Sequence, residues 1–408
     1  MSRNDDIFHV AAICAMPRHG NTGMRCVNHA LQKLIEKLGS RTKVDFFCFD
    51  SSSSPDSIRY RSILDLGKAS DYAVLIIWGD FILCQGWLAR AASRLAGASG
   101  AERAMVLRKI HEVLFPRPDE TSEPVYIVFG QCLLSERPHL FENDAHLSGV
   151  RSLLRVAAVA AVRDPISTVR ASIISGLLPS SHAGIDAALL LEPLDARDRA
   201  SSPLAPPTRV GIFFGRTHGA HMTKIALAVS LRRHAPGLET FWIPWFPRER
   251  MPWWIAAAFA IRRKLTASTV EEYIQAIRSC RLVITDTYHL SLIAWSYGVP
   301  AICIGRGAQH FRGTTKDKKK EIFFISNSLD DFYLFAEDGF GNLTSGAARR
   351  AIKLALDPDL GPAVRQRLHQ ISAEYVCILT SALKKAAERS SLPASERKLS
   401  LDLNESRS

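Results

Sequence analysis

Short apolar runs that alternate with helical patterns along most of the chain are the feature that most restricts the fold. The runs are rich in Val, Ile and Phe and mostly lack polar residues at alternate positions, as expected of strands covered by helices on both faces. In chain order they read IFHVAAICAM, KVDFFCFD, YAVLIIW, PVYIVFGQ, RVAAVAAV, RVGIFFG, ETFWIPW, RLVIT, AICIG and EIFFIS. This alternation predicts βα units and parallel sheets, and therefore an α/β fold.

The pattern is interrupted at LDARDRASSPLAPPT, where Ser and Pro residues break the periodicity. Two Rossmann-like domains with parallel sheets are therefore expected, with a cleft between them. We predict an N-terminal domain over residues 1–195, a linker over 196–208, a C-terminal domain over 209–345, C-terminal helices over 346–389 and a disordered tail over 390–408. Ligands of such sheets bind outside the carboxyl ends of the strands, so polar residues at strand ends are the candidate site.

Composition excludes several classes of function. The eight cysteines show neither C-x-x-C nor zinc spacing, which favours reduced cysteines of a cytoplasmic protein and gives no metal site. No apolar run approaches the length of a transmembrane helix, about 18 residues. The formal charge of +12 indicates an anionic partner. Because the basic residues are scattered and no nucleic-acid-binding signature is present, anionic small molecules or an anionic membrane surface fit at least as well as nucleic acid.

Two strand ends in the first half carry candidate ligand-binding residues. Gly20, Asn21 and Gly23 lie between the first strand and the first helix, where backbone N–H groups favour an anion or where the residues merely make the turn. Arg163 ends an apolar strand directly before Asp164. It either forms a salt bridge with Asp164 or a neighbour, or it recognises a phosphate or carboxylate through two hydrogen bonds.

The second half repeats this arrangement. Arg216 and His218 follow its first strand and either contact a ligand or are solvated. His289 stands at a helix start, where the macrodipole disfavours its protonated form. A neutral imidazole in a cleft can exchange a proton near neutral pH, although a purely structural histidine is the alternative. A lysine cluster follows that forms a solvated face or supplies a phosphate contact: Lys316, Lys318, Lys319 and Lys320.

Residues 241–264, FWIPWFPRERMPWWIAAAFAIRRK, combine four tryptophans with several arginines and a lysine. This composition is typical of a segment at a membrane interface, and the alternative is the aromatic edge of a core. If it is exposed, the segment would suit a cytoplasmic enzyme that acts on a lipid-linked saccharide at the inner membrane face.

Several blocks in this order resemble the polysaccharide pyruvyl transferase family. They are GNTGMRCVNHAL, SDYAVLIIWGD, PVYIVFGQ, AVRDPIS with GIDAALLLEP, and CRLVITDTYHLSLIAWSYGVPAICIG. The resemblance implies a GT-B-like pair of domains. It also implies transfer of the pyruvyl group of phosphoenolpyruvate to a sugar of a surface polysaccharide or exopolysaccharide, with release of phosphate. No further cofactor is implied.

The same resemblance implies that Arg163 and His289 lie in the catalytic cleft, with a basic residue soon after the histidine. Protonation of the methylene carbon of phosphoenolpyruvate needs an acid, for which we choose His289. A base is also needed, and Asp286 or Asp80 is the candidate. Many members carry Arg where this chain has Thr287.

Arg306, Arg216 or a lysine of residues 316–320 could supply the anion contact for which those members use that arginine. Two other functions stay open at this point. One is a nucleotide-sugar glycosyltransferase on the same frame. The other is a non-catalytic, membrane-associated member of the family, for which Thr287 is the warning sign.

Overall fold

The computed structural model describes fifteen stretches of the chain. They are residues 7–14, 21–39, 41–49, 52–53, 56–79, 82–96, 100–116, 124–134, 144–177, 184–195, 207–217, 219–246, 250–306, 315–336 and 342–390. Gly20, Asp80 and His218 lie outside the described residues, as do the side chain of Lys316 and the predicted tail beyond residue 390.

Strands and helices alternate along the described residues. The strands are β1 Phe8–Cys14, β2 Thr42–Cys48, β3 Ser52–Ser53, β4 Arg59–Ser62, β5 Val74–Trp78, β6 Val125–Gln131, β7 Val159–Val162, β8 Arg209–Phe213, β9 Glu239–Trp242, β10 Arg263–Lys264, β11 Cys280–Thr285, β12 Ala301–Gly305 and β13 Tyr333–Phe335. The helices are α1 Thr22–Glu36, α2 Gln85–Leu95, α3 Gly100–Leu114, α4 Asp144–Val156, α5 Pro165–Ser175, α6 Leu191–Leu194, α7 His221–His234, α8 Trp253–Phe259, α9 Val270–Arg278, α10 Tyr288–Ser296, α11 Thr315–Ser326, α12 Asn342–Ala355 and α13 Leu360–Ser390.

The described strands form two sheets. The first has the order β3-β4-β2-β1-β5-β6-β7, and the second has the order β10-β9-β8-β11-β12-β13. Neighbouring strands are parallel except for β3, which pairs antiparallel with β4. If β3 is set aside, both sheets follow the 3-2-1-4-5-6 order of a Rossmann fold. The predicted fold class, α/β with two Rossmann-like domains on parallel sheets, is confirmed.

The chain divides into two compact units. The first takes residues Met1–Pro17, Val27–Leu190 and Glu374–Ser408, and the second takes Arg18–Cys26 and Leu191–Ala373. The domain boundaries proposed above stay predictions. Each unit has its own apolar core, and the central strands supply most of it: β5 in the first unit and β12 in the second are buried at every position. Such strands need helices on both sheet faces, which explains the runs without alternation.

Two of the predicted strands were wrong in whole or in part. The run EIFFIS belongs to α11, where Phe323 and Phe324 are buried and Ile325 is exposed, as one face of a helix requires. An apolar run this short does not distinguish a strand from a half-buried helix. The run RVAAVAAV begins with the last residues of α4, and only Val159–Val162 forms a strand.

Candidate active site in the second unit

The candidate site lies at the carboxyl ends of β8 and β11, the two central strands of the second sheet. Strand order reverses between them, because the chain runs outward from β8 through β9 to β10 and then returns to β11 beside β8. Rossmann-like sheets bind ligands at this switch point. The loop after β8 contains Arg216, and β11 leads through Asp286 and Thr287 into α10.

Asp286 links these two strand ends. Its buried carboxylate accepts three backbone hydrogen bonds from the loop after β8: Oδ1 from the N–H of Gly215 at 2.9 Å, and Oδ2 from the N–H groups of Arg216 at 2.9 Å and Thr217 at 2.7 Å. The Thr287 hydroxyl donates a longer bond to Oδ1, at 3.3 Å. A cluster of backbone N–H groups at such a turn is suited to an anion, and here the protein's own carboxylate fills it.

Lys224 holds the same loop from the other side and was missed in the sequence. From the first turn of α7, its Nζ donates to the carbonyl oxygens of Thr217 at 2.9 Å and Gly219 at 3.1 Å. Burial lowers the pKa of this amine, and the Asp286 carboxylate opposes the shift. One signal was present in the sequence: Lys224 shares a helical face with the buried Leu227, Ala228 and Leu231, which is an unusual place for a solvated lysine.

His289 is the second residue of α10 and is buried. Its imidazole packs directly on Gly23, the second residue of α1, so that a Cβ on Gly23 would lie 2.5 Å from Nδ1. The structure therefore brings together two of the predicted site residues, although they are far apart in sequence. Because only a glycine leaves room for the ring, the identity of residue 23 is coupled to the position of His289.

Two long-range hydrogen bonds fix the start of α1 within the second unit. The Asn21 carbonyl, directly before the helix, accepts the N–H groups of Met24 and Arg25. The Thr22 hydroxyl donates to the Trp245 carbonyl at 2.7 Å, and the Arg25 guanidinium donates to the Ser268 carbonyl at 2.5 Å. The imidazole of His289 thus lies at the N-terminal turns of two helices, α1 and α10. Both helix N-termini favour an anionic ligand there.

A tyrosine connects His289 to a lysine of the predicted cluster. The Tyr288 and His289 rings meet edge to face with centroids 5.1 Å apart, and the Lys319 Nζ lies 5.2 Å from the Tyr288 centroid. Lys320 is buried and points elsewhere, to the Ile304 carbonyl at 3.2 Å and the Asp317 carboxylate at 2.7 Å. Lys318 is exposed.

The two candidate arginines of the second unit are exposed and have different surroundings. The Arg216 guanidinium lies over the Phe246 ring, 4.2 Å from its centroid, which restricts its direction. Arg306 follows β12 directly.

The sequence itself decides which family contains this fold and site. The polysaccharide pyruvyl transferase family model matches residues 26–307, more than two thirds of the chain. The chain belongs to the polysaccharide pyruvyl transferase family. The match includes Arg163, Asp286 and His289, whereas Gly23 and the lysines of α11 lie outside it. The resemblance inferred from the sequence is confirmed, and the family is one of transferases.

No curated protein matches this pyruvyl transferase family member in sequence. Among solved structures it is similar to UDP-GlcNAc 2-epimerase from Neisseria meningitidis bound to UDP-GlcNAc, with 10% identity, a TM-score of 0.48, and coverage of 91% of this chain and 100% of that chain. It is also similar to Phytolacca americana UGT2 complexed with UDP-2fluoro-glucose and pterostilbene, with 11% identity, a TM-score of 0.46, and coverage of 92% and 98%. Similarity at this level does not bear on function.

Arg163, the predicted catalytic arginine of this family member, lies in the first unit as part of a buried ion pair. Its Nε is 3.4 Å from Oδ2 of Asp186, and Oδ1 of Asp186 accepts the N–H of Ala188 at 2.9 Å. The pair joins the blocks AVRDPIS and GIDAALLLEP. The sequence interpretation allowed a salt bridge to a neighbour but did not identify Asp186. Asp164 caps the N-terminus of α5, since its carboxylate accepts the N–H and hydroxyl of Ser167, both at 2.8 Å.

The tryptophan-rich segment is only partly exposed. Trp242 and Trp245 are fully buried, as the alternative of an aromatic core edge predicts, whereas Trp253 is 82% exposed.

Within the described stretches, no cluster of three or more His, Cys, Asp or Glu residues has the spacing to hold a metal ion. None of the helices in those stretches is both long enough and apolar enough to span a bilayer.

Proposed function

We propose that this family member transfers the pyruvyl group of phosphoenolpyruvate to a sugar of a polysaccharide or its precursor, with release of phosphate. The observation that carries the proposal is the packing of His289 against Gly23, in a chain that belongs to the family. The packing holds one imidazole at the N-terminal turns of two helices. That environment suits a substrate with both a carboxylate and a phosphate, and it places a proton-transfer group beside the anion.

In the proposed reaction, His289 donates a proton to the methylene carbon of phosphoenolpyruvate. The neighbouring carbon becomes oxocarbenium-like and is attacked by an acceptor hydroxyl, whose proton returns to the His289 imidazole. A second hydroxyl then forms the other bond of the ketal while the bond to phosphate oxygen breaks, and the proton of this hydroxyl leaves with the phosphate. A bound dianionic phosphate beside the ring would stabilise the imidazolium that donates this proton.

We propose a positioning role for Asp286 rather than the role of catalytic base. Both oxygens of its carboxylate already accept backbone N–H groups from residues 215–217. Together with Lys224, Asp286 fixes the loop that presents Arg216 at the switch point.

The Asp286 carboxylate also argues against binding of a sugar nucleotide at the turn after β8. In Rossmann folds the phosphates of a nucleotide bind at the turn after the first strand, and here the corresponding N–H groups bind Asp286. A nucleotide diphosphate at that place would meet a buried negative charge. Phosphoenolpyruvate bound beside His289 would not have to displace the Asp286 carboxylate from these N–H groups.

A thermal-shift titration followed by a turnover assay tests the proposal. The full chain is titrated with phosphoenolpyruvate and, in parallel, with UDP- and GDP-sugars. A ligand at 100 times its dissociation constant stabilises by about 2.7 kcal/mol, which a melting curve resolves. Stabilisation by a sugar nucleotide alone would make the protein a glycosyltransferase, and stabilisation by no donor would favour the non-catalytic alternative.

The turnover assay follows phosphate release with a saccharide acceptor fraction. His289→Ala should lower the rate by about 100-fold or more, the typical contribution of general acid catalysis. Lys318→Met is the matched control, because Lys318 is exposed on the same unit. Undiminished phosphate release by His289→Ala would remove the acid role assigned to this residue.

A further inference from the structure

Helix α5 of the first unit exposes an apolar stripe. Ile166, Val169 and Ile173 lie three and four positions apart, which places them on one helical face, with 44%, 54% and 75% exposure. Leu177 follows Gly176, the residue that ends the helix, and is 52% exposed. We name these four residues the α5 stripe. A helix on the surface of a globular protein usually turns such a stripe toward the core.

The opposite face of α5 is buried and contains two polar residues with fixed partners, beside the apolar Ile174. Ser167 donates from Oγ to the Asp164 carboxylate at 2.8 Å and accepts the N–H of Leu133 at 3.0 Å. The Thr168 hydroxyl donates to the Asp164 carbonyl at 3.1 Å. Because rotation of the helix about its axis would break the bond between Ser167 and Leu133, these contacts hold the stripe outward. The outward stripe is thus a property of the fold and marks α5 as a docking surface.

Two arginines border the C-terminal end of α5. Arg151 and Arg155 of α4 are exposed and bond the end of α5, with Nε donating to the carbonyls of Ile174 at 2.9 Å and Ser175 at 2.6 Å. The sequence from residue 145 to 177 contains a single acidic residue, Asp164, and it is buried. The partner of the stripe therefore meets apolar side chains bordered by arginines.

We propose that the α5 stripe docks on an anionic lipid bilayer. Apolar side chains of a surface helix enter the boundary between headgroups and acyl chains, and flanking arginines bind anionic headgroups. A second copy of this chain fits less well, because a two-fold contact would place Arg151 and Arg155 near their own copies. The proposal does not depend on the donor or on His289, and it uses a surface distinct from residues 241–264.

Vesicle flotation with the full chain tests the proposal. The protein is mixed with vesicles of phosphatidylcholine alone or of phosphatidylcholine with phosphatidylglycerol, at low and high salt. We expect binding to the anionic vesicles that weakens with salt. The pair Ile166→Ser and Ile173→Ser should reduce the partition coefficient by about tenfold or more, since burial of apolar area drives insertion. Val229→Ser, at a 59% exposed position of α7, is the matched control and should not change binding.

Three results would overturn the proposal. The wild-type chain could fail to float with anionic vesicles, or the substituted pair could float as well as the wild type with an unchanged melting curve. Loss of flotation on Trp253→Ser alone would assign the contact to residues 241–264. Sedimentation velocity tests whether a second copy of the chain binds the stripe instead. If the wild-type chain is a dimer that does not bind vesicles, and the two substitutions dissociate it, the stripe is an interface between copies.

Discussion

Gly23→Ala is the substitution that most directly tests the packing of His289 on α1. The added methyl carbon would lie 2.5 Å from Nδ1, 2.7 Å from Cγ and 2.8 Å from Cβ of His289, whereas ordinary contact begins at 3.4 Å. The ring must therefore move by about 0.9 Å, the difference between 3.4 and 2.5 Å. Rotation of the imidazole alone is insufficient, because the clash includes Cβ.

The expected effects on stability and on rate differ in size. Overpacking of this kind costs about 1–3 kcal/mol, and the higher helix propensity of alanine returns about 1 kcal/mol, so the net loss of stability is about 0–2 kcal/mol. A displacement of about 1 Å at a catalytic group lowers the rate by about 100-fold, which corresponds to about 2.7 kcal/mol in the barrier. Gly23→Ala should thus remain folded and lose most of its turnover.

Phosphate release and urea unfolding measure the two effects on the same preparation. Gly346→Ala is the matched control, because a Cβ there meets no atom within 4 Å; in α12 it should raise stability by about 0.5–1 kcal/mol and leave turnover unchanged. Introducing Gly23→Ala into a His289→Gly chain should cost less stability than in the wild type. Wild-type turnover by Gly23→Ala would refute the reasoning, since a displaced His289 would then not matter to the reaction.

Three further predictions concern other residues. Arg163→Met should destabilise the chain by about 3–5 kcal/mol, because it removes the buried cation beside the Asp186 carboxylate; adding Asp186→Leu should restore much of that stability in urea unfolding. Burial, aided by a nearby histidine, lowers the pKa of His146 from 6.5 to about 4, so the unfolded chain binds a proton that the folded chain does not. Stability should fall by up to about 3 kcal/mol as pH decreases from about 6.5 to 4, and His146→Gln should flatten this profile. Lys319→Met should raise the KM for phosphoenolpyruvate by about tenfold, as expected for one charged contact, whereas Lys318→Met should not.

Each of these predictions has an outcome that would contradict it. If Arg163→Met has wild-type stability but binds the donor more weakly, Arg163 is a ligand-binding residue rather than a structural one. An unchanged acid profile in His146→Gln would show that other groups govern the pH dependence. Equal KM values for the two lysine variants would remove Lys319 from the donor contact.

The fold was largely predictable because its signal is local. Runs such as YAVLIIW are apolar throughout, and a strand buried on both faces needs that composition. Strand order was not predicted, since the apolar pattern is the same for a central strand and its neighbours. The error at EIFFIS has a physical reason: the run is short, and the helix is defined by contacts outside it, such as the buried bond from Lys320 to the Ile304 carbonyl.

The contacts within the candidate site could not be predicted from the sequence, and the roles assigned to its residues stay predictions. Gly23 and His289 each stood out by their position at a helix start, yet nothing in the sequence indicates that they touch. Lys224 was missed because a lysine in a helix usually belongs to a solvated face. The outward stripe of α5 was missed for a related reason: its spacing predicts a buried face, and only the hydrogen bonds of Ser167 show which side faces inward.

The geometry around Thr287 bears on how this family member holds its donor. Thr287 is buried, its N–H donates to the Thr285 hydroxyl at 3.0 Å, and its hydroxyl donates to Asp286. An arginine at this position would lack the hydroxyl that donates to Asp286. Because this chain has no arginine here, we propose that the anion contact comes from another element. Lys319 is favoured by its place on the Tyr288 ring, which in turn contacts His289. On this proposal the threonine changes which element binds the donor, and His289 keeps the proposed role of acid.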